Sequence, residues 1–183
     1  MTKTEDQYKA IIKTAEDIFV KKTKDYGTAW RILRPSSLTD QLYIKAARIR
    51  SFEEKGVQKV NESIEGEFIA LINYSVMALI QLELNTGLSN LDLNLEDATK
   101  LYKKHLDYTL ELMKKKNHDY GEAWRDMRTS SMTDLILMKL LRIKQIEDND
   151  GKTIISEGMD ANYHDIINYA ICLLYTSPSP RDS

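Results

Sequence analysis

The chain is a tandem duplication, and this feature constrains its fold more than any other. The stretch KDYGTAWR at Lys24 to Arg31 recurs as HDYGEAWR at His118 to Arg125. The same register continues through a Ser-Ser-x-Thr-Asp segment, a Lys-x-x-Arg-Ile segment and, after one inserted residue in the second copy, an Ile-Asn-Tyr segment. Because a unit of this size buries its own apolar face poorly, the two copies are expected to pack as a pseudo-twofold pair.

Each copy is predicted to contain three helices. Apolar residues recur at helical spacing, and no segment alternates with period two for long. The second helix is expected to begin at Ser37 or Ser131, each followed three residues later by an aspartate, as in a capping box. The third helix is expected to run from about Glu62 to Leu84 and to be buried, because it is apolar on nearly all sides. The predicted class is all-α, a duplicated three-helix unit packed as a pseudo-twofold helical bundle.

Composition divides the chain into a first repeat, a linker, a second repeat and a C-terminal segment of different origin. In the linker, Asn94 is expected to cap the next helix. Cys172 to Asp182 reads CLLYTSPSPRD, and a DNA string that resembles a transposase adapter of sequencing libraries encodes it codon by codon. We interpret this segment as an adapter artefact that truncates the second repeat. The four predicted parts are residues 1–84, 85–94, 95–171 and 172–183.

Charge and hydropathy argue against several functional classes. The formal charge of -2 is spread without blocks of like charge, so long nucleic acid is not an expected partner. No stretch reaches the roughly 20 apolar residues of a membrane span, and Met1 to Asp6 has no signal-peptide core. A cytoplasmic protein without a membrane partner is therefore expected, and its oligomeric state is left open. The single cysteine, Cys172, excludes a disulfide framework and a cysteine-rich zinc site.

The repeated Asp-Tyr-Gly-x-Ala-Trp-Arg motif has two interpretations. In the first, Gly27 and Gly121 stop a helix in a left-handed conformation, the tryptophan packs in the core and the arginine pairs with the aspartate. In the second, the aromatic rings stack on a base and the arginines hold phosphate oxygens. The lysine and arginine three residues apart on the next helix indicate a solvated face or an anion site. The candidate nucleotide-binding residues are Asp119, Tyr120, Trp124, Arg125, Arg128, Lys139, Arg142, Arg31, Lys45 and Arg48.

The third helix of the second copy carries the strongest acidic cluster. Glu157, Asp160 and His164 share one helical face, and Asp165 stands beside them. Carboxylates placed in this way can hold Mg²⁺ together with substrate phosphates, or can simply be favoured by the helix dipole. Asp134 on the preceding helix is either a capping partner or a metal ligand. The candidate metal ligands are Glu157, Asp160, Asp165 and Asp134, and Asp165 is also the candidate catalytic residue.

These motifs resemble the nucleotide modification associated domain 1 family of bacteria and phages, earlier filed as a domain of unknown function. The resemblance rests on Lys-x-x-Asp-Tyr-Gly-x-Ala-Trp-Arg at Lys22 to Arg31 and on its second copy, which ends at Arg125. The Ser-Ser-x-Thr-Asp, Lys-x-x-Arg-Ile and Ile-Asn-Tyr segments of both copies add to it. It covers nearly all of residues 8–171 and is similar to a two-copy bacterial form. The resemblance implies an association with nucleotide or DNA-base modification. It does not indicate which residues would be catalytic.

A more remote similarity is to the all-α nucleoside triphosphate pyrophosphohydrolases. That resemblance implies Glu-x-x-Glu and Glu-x-x-Asp on neighbouring helices around Mg²⁺. Glu157 and Asp160 match the second element, whereas the preceding helix carries Lys139 and Arg142 in place of paired glutamates. The expected function is binding of a nucleoside phosphate between the copies, with Mg²⁺-dependent hydrolysis as a candidate reaction. The alternative is a non-catalytic helical binding or scaffold module.

Overall fold

In the computed structural model the chain folds into six α-helices, and no strand occurs among the described residues. The structure describes residues 3–56, 62–85, 91–153 and 158–176. Short 3₁₀ turns at Ala29–Ile32 and Ala123–Asp126 follow the first helix of each copy. The all-α class and the two-copy architecture are confirmed. The helices are α1 (Lys3–Tyr26), α2 (Pro35–Glu54), α3 (Glu62–Leu84), α4 (Leu95–Tyr120), α5 (Thr129–Asp148) and α6 (Met159–Thr176).

Helix boundaries follow the sequence signals except at the start of α2 and α5. Helix α3 spans the predicted residues. The Asn94 side chain caps α4 by accepting a hydrogen bond from a backbone N–H of the first turn at 2.8 Å. The predicted capping box at Ser37 and Ser131 is wrong, because α2 and α5 begin two residues earlier without a side-chain cap. In α2 the reason is Pro35, whose fixed φ and missing N–H suit the first helical position.

Four helices form a bundle around the core. Helix α2 packs against α3, α3 against α6, α6 against α5, and α5 back against α2. Helices α1 and α4 contact each other and also α3 and α6. One continuous cluster of buried side chains draws on both copies, with Tyr8, Phe19, Tyr102 and Tyr163 among its largest members. Each copy therefore completes its core against the other, as expected for a small unit.

Two equivalent hydrogen bonds cross between the copies inside the core. The Tyr8 hydroxyl donates to Asn168 Oδ1 at 2.7 Å. The Tyr102 hydroxyl donates to Asn73 Oδ1 at 2.6 Å. Asn73 Nδ2 also donates to the Ala15 carbonyl at 3.1 Å, and Asn168 Nδ2 donates to the equivalent carbonyl of the second copy at 3.4 Å. The two tyrosines are equivalent in the repeat, as are the two asparagines, and each tyrosine bonds the asparagine of the other copy. This exchanged pairing marks a pseudo-twofold axis. The asparagine of the Ile-Asn-Tyr motif therefore has a structural role.

The Ser-Ser-x-Thr-Asp segments meet where α2 packs against α5. Each threonine hydroxyl bonds a glutamate of the other copy, and each aspartate forms an ion pair with a cation of the other copy. All four contacts cross the pseudo-twofold axis, so this motif holds the copies together. The pairs are Thr39 with Glu147, Thr133 with Glu53, Asp40 with Lys144 at 3.3 Å, and Asp134 with Arg50 at 3.4 Å.

Helix α3 has the length and composition of a membrane span from Ile64 to Leu84. This differs from the sequence expectation, which found no stretch of that kind. Most of the window is buried inside the bundle, where α2 and α6 pack against it. A helix that is apolar all round is expected at the centre of a helical core, so the match is weak evidence for a membrane span.

Helix α6 continues past Ile171 as far as Thr176. Cys172 and Leu173 are buried in the common core. The first residues of the segment interpreted as adapter-derived thus extend the helix without a break. The origin of residues 172–183 stays a prediction.

Candidate functional site

The two glycines of the repeated motif end α1 and α4 in the predicted way. Gly27 has a φ of 62° and Gly121 a φ of 63°, in the left-handed region that favours glycine. At Gly121 the ψ of -154° places the backbone in a region that is essentially restricted to glycine. The chain then turns into the 3₁₀ segment that carries the tryptophan and the arginine. The helix-stop part of the first interpretation is confirmed.

In the first copy the arginine of the motif is buried. Arg31 is 3% exposed, and its guanidinium donates to Gln81 Oε1 and, at 3.5 Å, to the Asn85 carbonyl. The Gln81 amide in turn donates to the carbonyls of Arg31 and Leu33 at 2.7 and 2.6 Å. Burial lowers the pKa of Arg31. These bonds fasten the 3₁₀ turn to the end of α3, so a phosphate would reach Arg31 only after they opened.

In the second copy the equivalent arginine is exposed and contacts α1. Arg125 Nε donates to Glu122 at 2.7 Å, and Arg125 Nη2 donates to Thr4 Oγ1 at 2.6 Å. Its guanidinium carbon lies 4.6 Å from the centre of the Trp124 ring, and Trp124 Nε1 donates to Asn117 Oδ1 at 3.0 Å. Within the part of the chain that the structure describes, neither motif arginine pairs with the motif aspartate. That part of the first interpretation is wrong.

Three repeated motifs converge on Asp165. Lys116 Nζ and Lys139 Nζ lie 2.7 and 2.9 Å from its two carboxylate oxygens. Arg142 follows Lys139 by one turn of α5, and Tyr169 follows Asp165 by one turn of α6. The charges of Asp165, Lys116 and Arg142 all act on the Tyr169 hydroxyl. We name Lys116, Lys139 and Arg142 the basic cluster; the two lysines contact Asp165, and the charge of Arg142 acts on the adjacent Tyr169.

The charge state of Asp165 follows from these contacts. Burial acts to raise the pKa of the Asp165 carboxyl, but hydrogen bonds and charges from Lys116 and Lys139 outweigh it and hold the pKa below its usual value. Asp165 is therefore ionised at neutral pH. A carboxylate that two lysines hold is a poor metal ligand, because a divalent cation would have to displace both of them.

The first copy contains a related arrangement in which the acid is shifted by one helical turn. Lys45 and Arg48 lie 3.4 and 3.6 Å from the carboxylate of Glu67, whose side chain is 9% exposed. Glu67 precedes Ala70, the residue equivalent to Asp165, by three positions. Each copy thus places cations of its second helix beside an acid of its third helix, with different residues as the acid.

The predicted metal ligands do not converge among the described residues. Glu157 lies outside them, Asp165 is held by two lysines, and Asp134 pairs with Arg50 across the contact between α2 and α5. Asp160 lies apart, at the edge of a cleft. Within residues 3–56, 62–85, 91–153 and 158–176, no group of three or more histidine, cysteine or acidic side chains could hold a metal ion. The described residues do not fit a Mg²⁺ site built by the protein alone.

The remaining candidates for nucleotide binding lie on the surface. Asp119, Tyr120 and Arg128 are exposed. Tyr120 is 77% exposed and follows Lys116 by one turn, so the two side chains share one face of α4. Arg128 directly precedes α5, the helix that carries the other two members of the basic cluster. Tyr120 therefore places an exposed aromatic ring near that cluster.

A cleft of about 840 Å³ between α3, α4 and α6 was not predicted from the sequence. Its polar wall contains His105 and His164 together with four carboxylates. Helical spacing places His164 on the acidic face of α6 but gives no reason to join it to His105 on α4. The available signal is histidines in two amphipathic helices, His105 and His118 in α4 and His164 in α6, which is too common a pattern to predict a site.

Hydrogen bonds fix the protonated nitrogen of both histidines. The Thr109 hydroxyl donates to the His105 carbonyl at 2.9 Å, so its oxygen accepts from His164 Nδ1 at 2.6 Å. His164 therefore carries its proton on Nδ1 and presents Nε2 as an acceptor. His105 Nε2 donates to Glu83 Oε2 at 2.9 Å, and Lys104 donates to the other oxygen of Glu83.

Acid is expected to destabilise the fold through His164. Burial and, secondarily, the charge of His105 lower the pKa of His164 to about 4, against the opposing charges of Asp160 and Asp165. An unfolded histidine has a pKa of about 6.5, so between about pH 6.5 and 4 the unfolded chain binds more protons than the folded one. Stability therefore falls as the pH falls through this window. From about pH 7 to about pH 5 the loss from this residue is about 2 kcal/mol.

Urea unfolding of the wild type and of His164→Gln at the two pH values measures this effect. Burial raises the pKa of Glu147 to about 7, and a raised carboxyl pKa stabilises the fold as the pH falls, so only the difference between the two proteins isolates His164. The advantage of the wild type should shrink by about 2 kcal/mol at about pH 5. The exposed His118 provides a control, since His118→Gln should follow the wild type. A difference that does not change with pH would contradict the burial of a neutral His164.

The fold and the site define an internally duplicated, all-α helical bundle with a basic cluster in its second copy and an acid-lined cleft between α3 of the first copy and α4 and α6 of the second. The chain belongs to the nucleotide modification associated domain 1 family, whose model matches residues 22–82 and 116–175, one segment in each copy. The resemblance carried by the repeated motifs is thereby confirmed. Comparison with curated proteins and with solved structures finds no match.

Proposed function

We propose that the protein binds a nucleoside phosphate and that the basic cluster of the second copy holds the phosphate. The observation that carries the proposal is the convergence of separate repeated motifs on one place. Lys116 belongs to the Lys-x-x-Asp-Tyr-Gly-x-Ala-Trp-Arg motif and Lys139 to the Lys-x-x-Arg-Ile motif, yet both contact Asp165. Arg142, also of the Lys-x-x-Arg-Ile motif, acts on the adjacent Tyr169. Membership of a family described by nucleotide modification supports the choice of ligand class.

The charge of the basic cluster suits a phosphate. Three cationic side chains, two of them on Asp165 and the third acting on the adjacent Tyr169, favour an anionic ligand in this region. Lysines bind phosphate as point charges, and an arginine adds a planar fork that can hold two oxygens. Arg142 is exposed and forms no ion pair with a described residue, so its guanidinium can turn toward a ligand.

Tyr120 is the best placed residue to stack on the base. It lies one turn beyond Lys116 on the same face of α4 and is 77% exposed. Stacking of a nucleobase on an aromatic side chain contributes about 1–3 kcal/mol. Trp124 is the other aromatic residue predicted to stack on a base. The guanidinium of Arg125 lies 4.6 Å from the centre of its ring, so Trp124 has less ring surface open to a base than Tyr120 has.

Hydrolysis with Mg²⁺ is not part of the proposal. The remote similarity to pyrophosphohydrolases implies paired acids around the ion, and the described residues supply no such group. A Mg²⁺ ion could still arrive on the phosphates of the nucleotide, so the ion is a variable in the test. The competing function is a scaffold, which the interface roles of Asn73 and Thr39 favour because these motif residues join the two copies.

A thermal-shift panel of ribo- and deoxynucleoside mono-, di- and triphosphates, with and without Mg²⁺, tests the proposal. A ligand that binds only the folded state stabilises it by RT ln(1 + [L]/Kd), about 2.7 kcal/mol at a hundredfold excess over Kd. The nucleosides without phosphate should give a smaller shift, because they lack the group that the basic cluster binds.

Lys139→Met should abolish the shift, and Lys100→Met is the matched control. Each lysine pairs with a carboxylate, Lys100 with Glu96 at 3.2 Å and Lys139 with Asp165 at 2.9 Å. Lys100, however, lies in the first turns of α4, at the other end of the helix from Lys116. A shift that persists in Lys100→Met and disappears in Lys139→Met supports the phosphate site. A flat panel, or equal shifts in both variants, overturns it in favour of the scaffold.

A further inference from the structure

We propose that the cleft between α3, α4 and α6 binds a small organic cation, an amine carried on an apolar body. This site differs from the basic cluster in the sign of the charge that it selects. A phosphate in the cleft would meet carboxylates, whereas an ammonium group would meet acceptors. The proposal therefore does not depend on nucleoside-phosphate binding.

The cleft has the size and the floor of a small-molecule site. Its volume of about 840 Å³ falls within the range of about 300–1,000 Å³ that is typical of ligand pockets. Leu79 and Leu82 of α3 and Met159 of α6 supply apolar surface. An alkyl or aromatic body would bury its own apolar surface against these side chains.

The wall of the cleft carries an excess of negative charge. Glu83 and Glu111 already pair with lysines, Glu83 with Lys104 of the cleft itself. Asp107 and Asp160 also line the cleft and form no ion pair with a described residue. Two carboxylates without a counter-charge are thus left for a cationic ligand.

A buried histidine adds an acceptor that no described residue fills. His164 is 4% exposed and lines the cleft. Its Nδ1–H donates to Thr109 Oγ1, so Nε2 carries a lone pair. No described residue donates a hydrogen bond to Nε2. Since His164 lines the cleft, a donor on an occupant of the cleft can pair with this nitrogen. An ammonium group supplies three donors and no acceptor.

Tyr108 makes the site better suited to a cation than to a neutral donor. Its ring lies 4.7 Å from the His164 ring and is 56% exposed at the side of the cleft. An ammonium group near the face of an aromatic ring gains a cation–π attraction that an uncharged donor lacks. Carboxylates, a ring-nitrogen lone pair and an aromatic face therefore favour the same kind of ligand.

The repeat shows that the fold does not require this chemistry. Ile11 and Ile69 take the positions of His105 and His164 in the first copy, and a threonine takes that of Tyr108. Isoleucine satisfies the packing at both histidine positions, and an isoleucine has no polar atom to pair. The two histidines and the tyrosine are therefore particular to the second copy and are explained by a ligand.

Calorimetric titration of the full chain with 2-phenylethylamine tests the proposal, with 2-phenylethanol as the uncharged ligand of the same shape. The amine should bind, and the alcohol should bind at least about fivefold more weakly because it lacks the charge. Asp160→Asn should weaken binding of the amine by about three- to fivefold. The same kind of change at the equivalent place of the first copy, Glu65→Gln, should leave it unchanged.

Three results would overturn the proposal. They are the absence of amine binding tighter than about 1 mM, equal binding of the amine and the alcohol, and unchanged amine binding in the double variant Asp160→Asn with Tyr108→Ala. Because both changes lie on exposed side chains, the variants should fold as the wild type does. The nucleotide panel applied to the same variants scores the basic cluster separately, so the failure of one site is distinguishable from the failure of the other.

Discussion

Asn73→Ala and Asn168→Ala should each lower the free energy of unfolding by about 2–5 kcal/mol. Each asparagine serves two buried groups, a tyrosine hydroxyl of the other copy and a backbone carbonyl of its own copy. Alanine leaves both groups without a partner, and each unsatisfied group costs about 1–3 kcal/mol. The loss at Asn168 should be the smaller, since its bond to the carbonyl is the longer one at 3.4 Å.

Urea unfolding of the single variants, with a double-mutant cycle of Asn73→Ala and Tyr102→Phe, measures the contact between the copies. Once the asparagine is gone, removal of the tyrosine hydroxyl should cost little, so the two losses should not add. Tyr26→Phe is the control, because this residue is 74% exposed and the change should alter stability by less than about 0.5 kcal/mol. Additive losses in the cycle would contradict the exchanged pairing and the pseudo-twofold arrangement that rests on it.

Arg31→Ala should destabilise the fold by about 2–4 kcal/mol, whereas Arg125→Ala should cost less than about 1 kcal/mol. The two arginines occupy the same place in the motif. Arg31 is 3% exposed, and its loss leaves Gln81 Oε1 and the Asn85 carbonyl without its guanidinium as a donor. Arg125 pairs with Glu122 at the surface, and an exposed ion pair contributes little.

Chemical unfolding of the two variants at neutral pH makes the comparison. The duplication supplies the control, because the motif and the substitution are the same and the burial of the arginine differs. Equal losses would contradict a structural role particular to Arg31. If Arg31→Ala instead kept its stability and lost the nucleotide-induced shift, Arg31 would return to the binding residues predicted from the sequence.

Local patterns in the sequence determine much of the fold. The all-α class, the bounds of α3 and the Asn94 cap each follow from residues close together in the chain. The pseudo-twofold pairing follows from the repeat itself. The start of α2 was predicted wrongly because Ser37 satisfies the capping pattern, while Pro35 two residues earlier is equally suited to open a helix and does so.

The roles of the repeated polar residues could not be predicted from the motif, because their partners come from the other copy or from distant helices. Asp134 pairs with Arg50 of the first copy, and Tyr102 with Asn73. Arg31 is buried because Gln81 at the end of α3 meets its guanidinium, whereas Arg125 pairs with Glu122 at the surface. Identical motifs therefore acquire different environments.

The convergence of lysines on Asp165 was likewise not available from the sequence. Helical spacing predicts Asp165 beside an acidic face, and the metal-ligand interpretation follows from that placement. The structure adds Lys116 from α4 and Lys139 from α5, which the spacing on α6 cannot reveal. Once these cations are present, a counter-ion role explains the carboxylate better than a metal-binding one.

Titration of the wild type and Asp165→Asn with the nucleotide that gives the largest thermal shift decides between these two roles. If Asp165 is the counter-ion of the basic cluster, the variant removes a negative charge that competes with phosphate. Binding should then be unchanged or tighter, by up to about tenfold, which corresponds to about 1.4 kcal/mol. Circular dichroism of the variant verifies that it folds. A folded Asp165→Asn protein that has lost nucleotide binding would contradict the counter-ion role and restore Asp165 as a ligand or catalytic group.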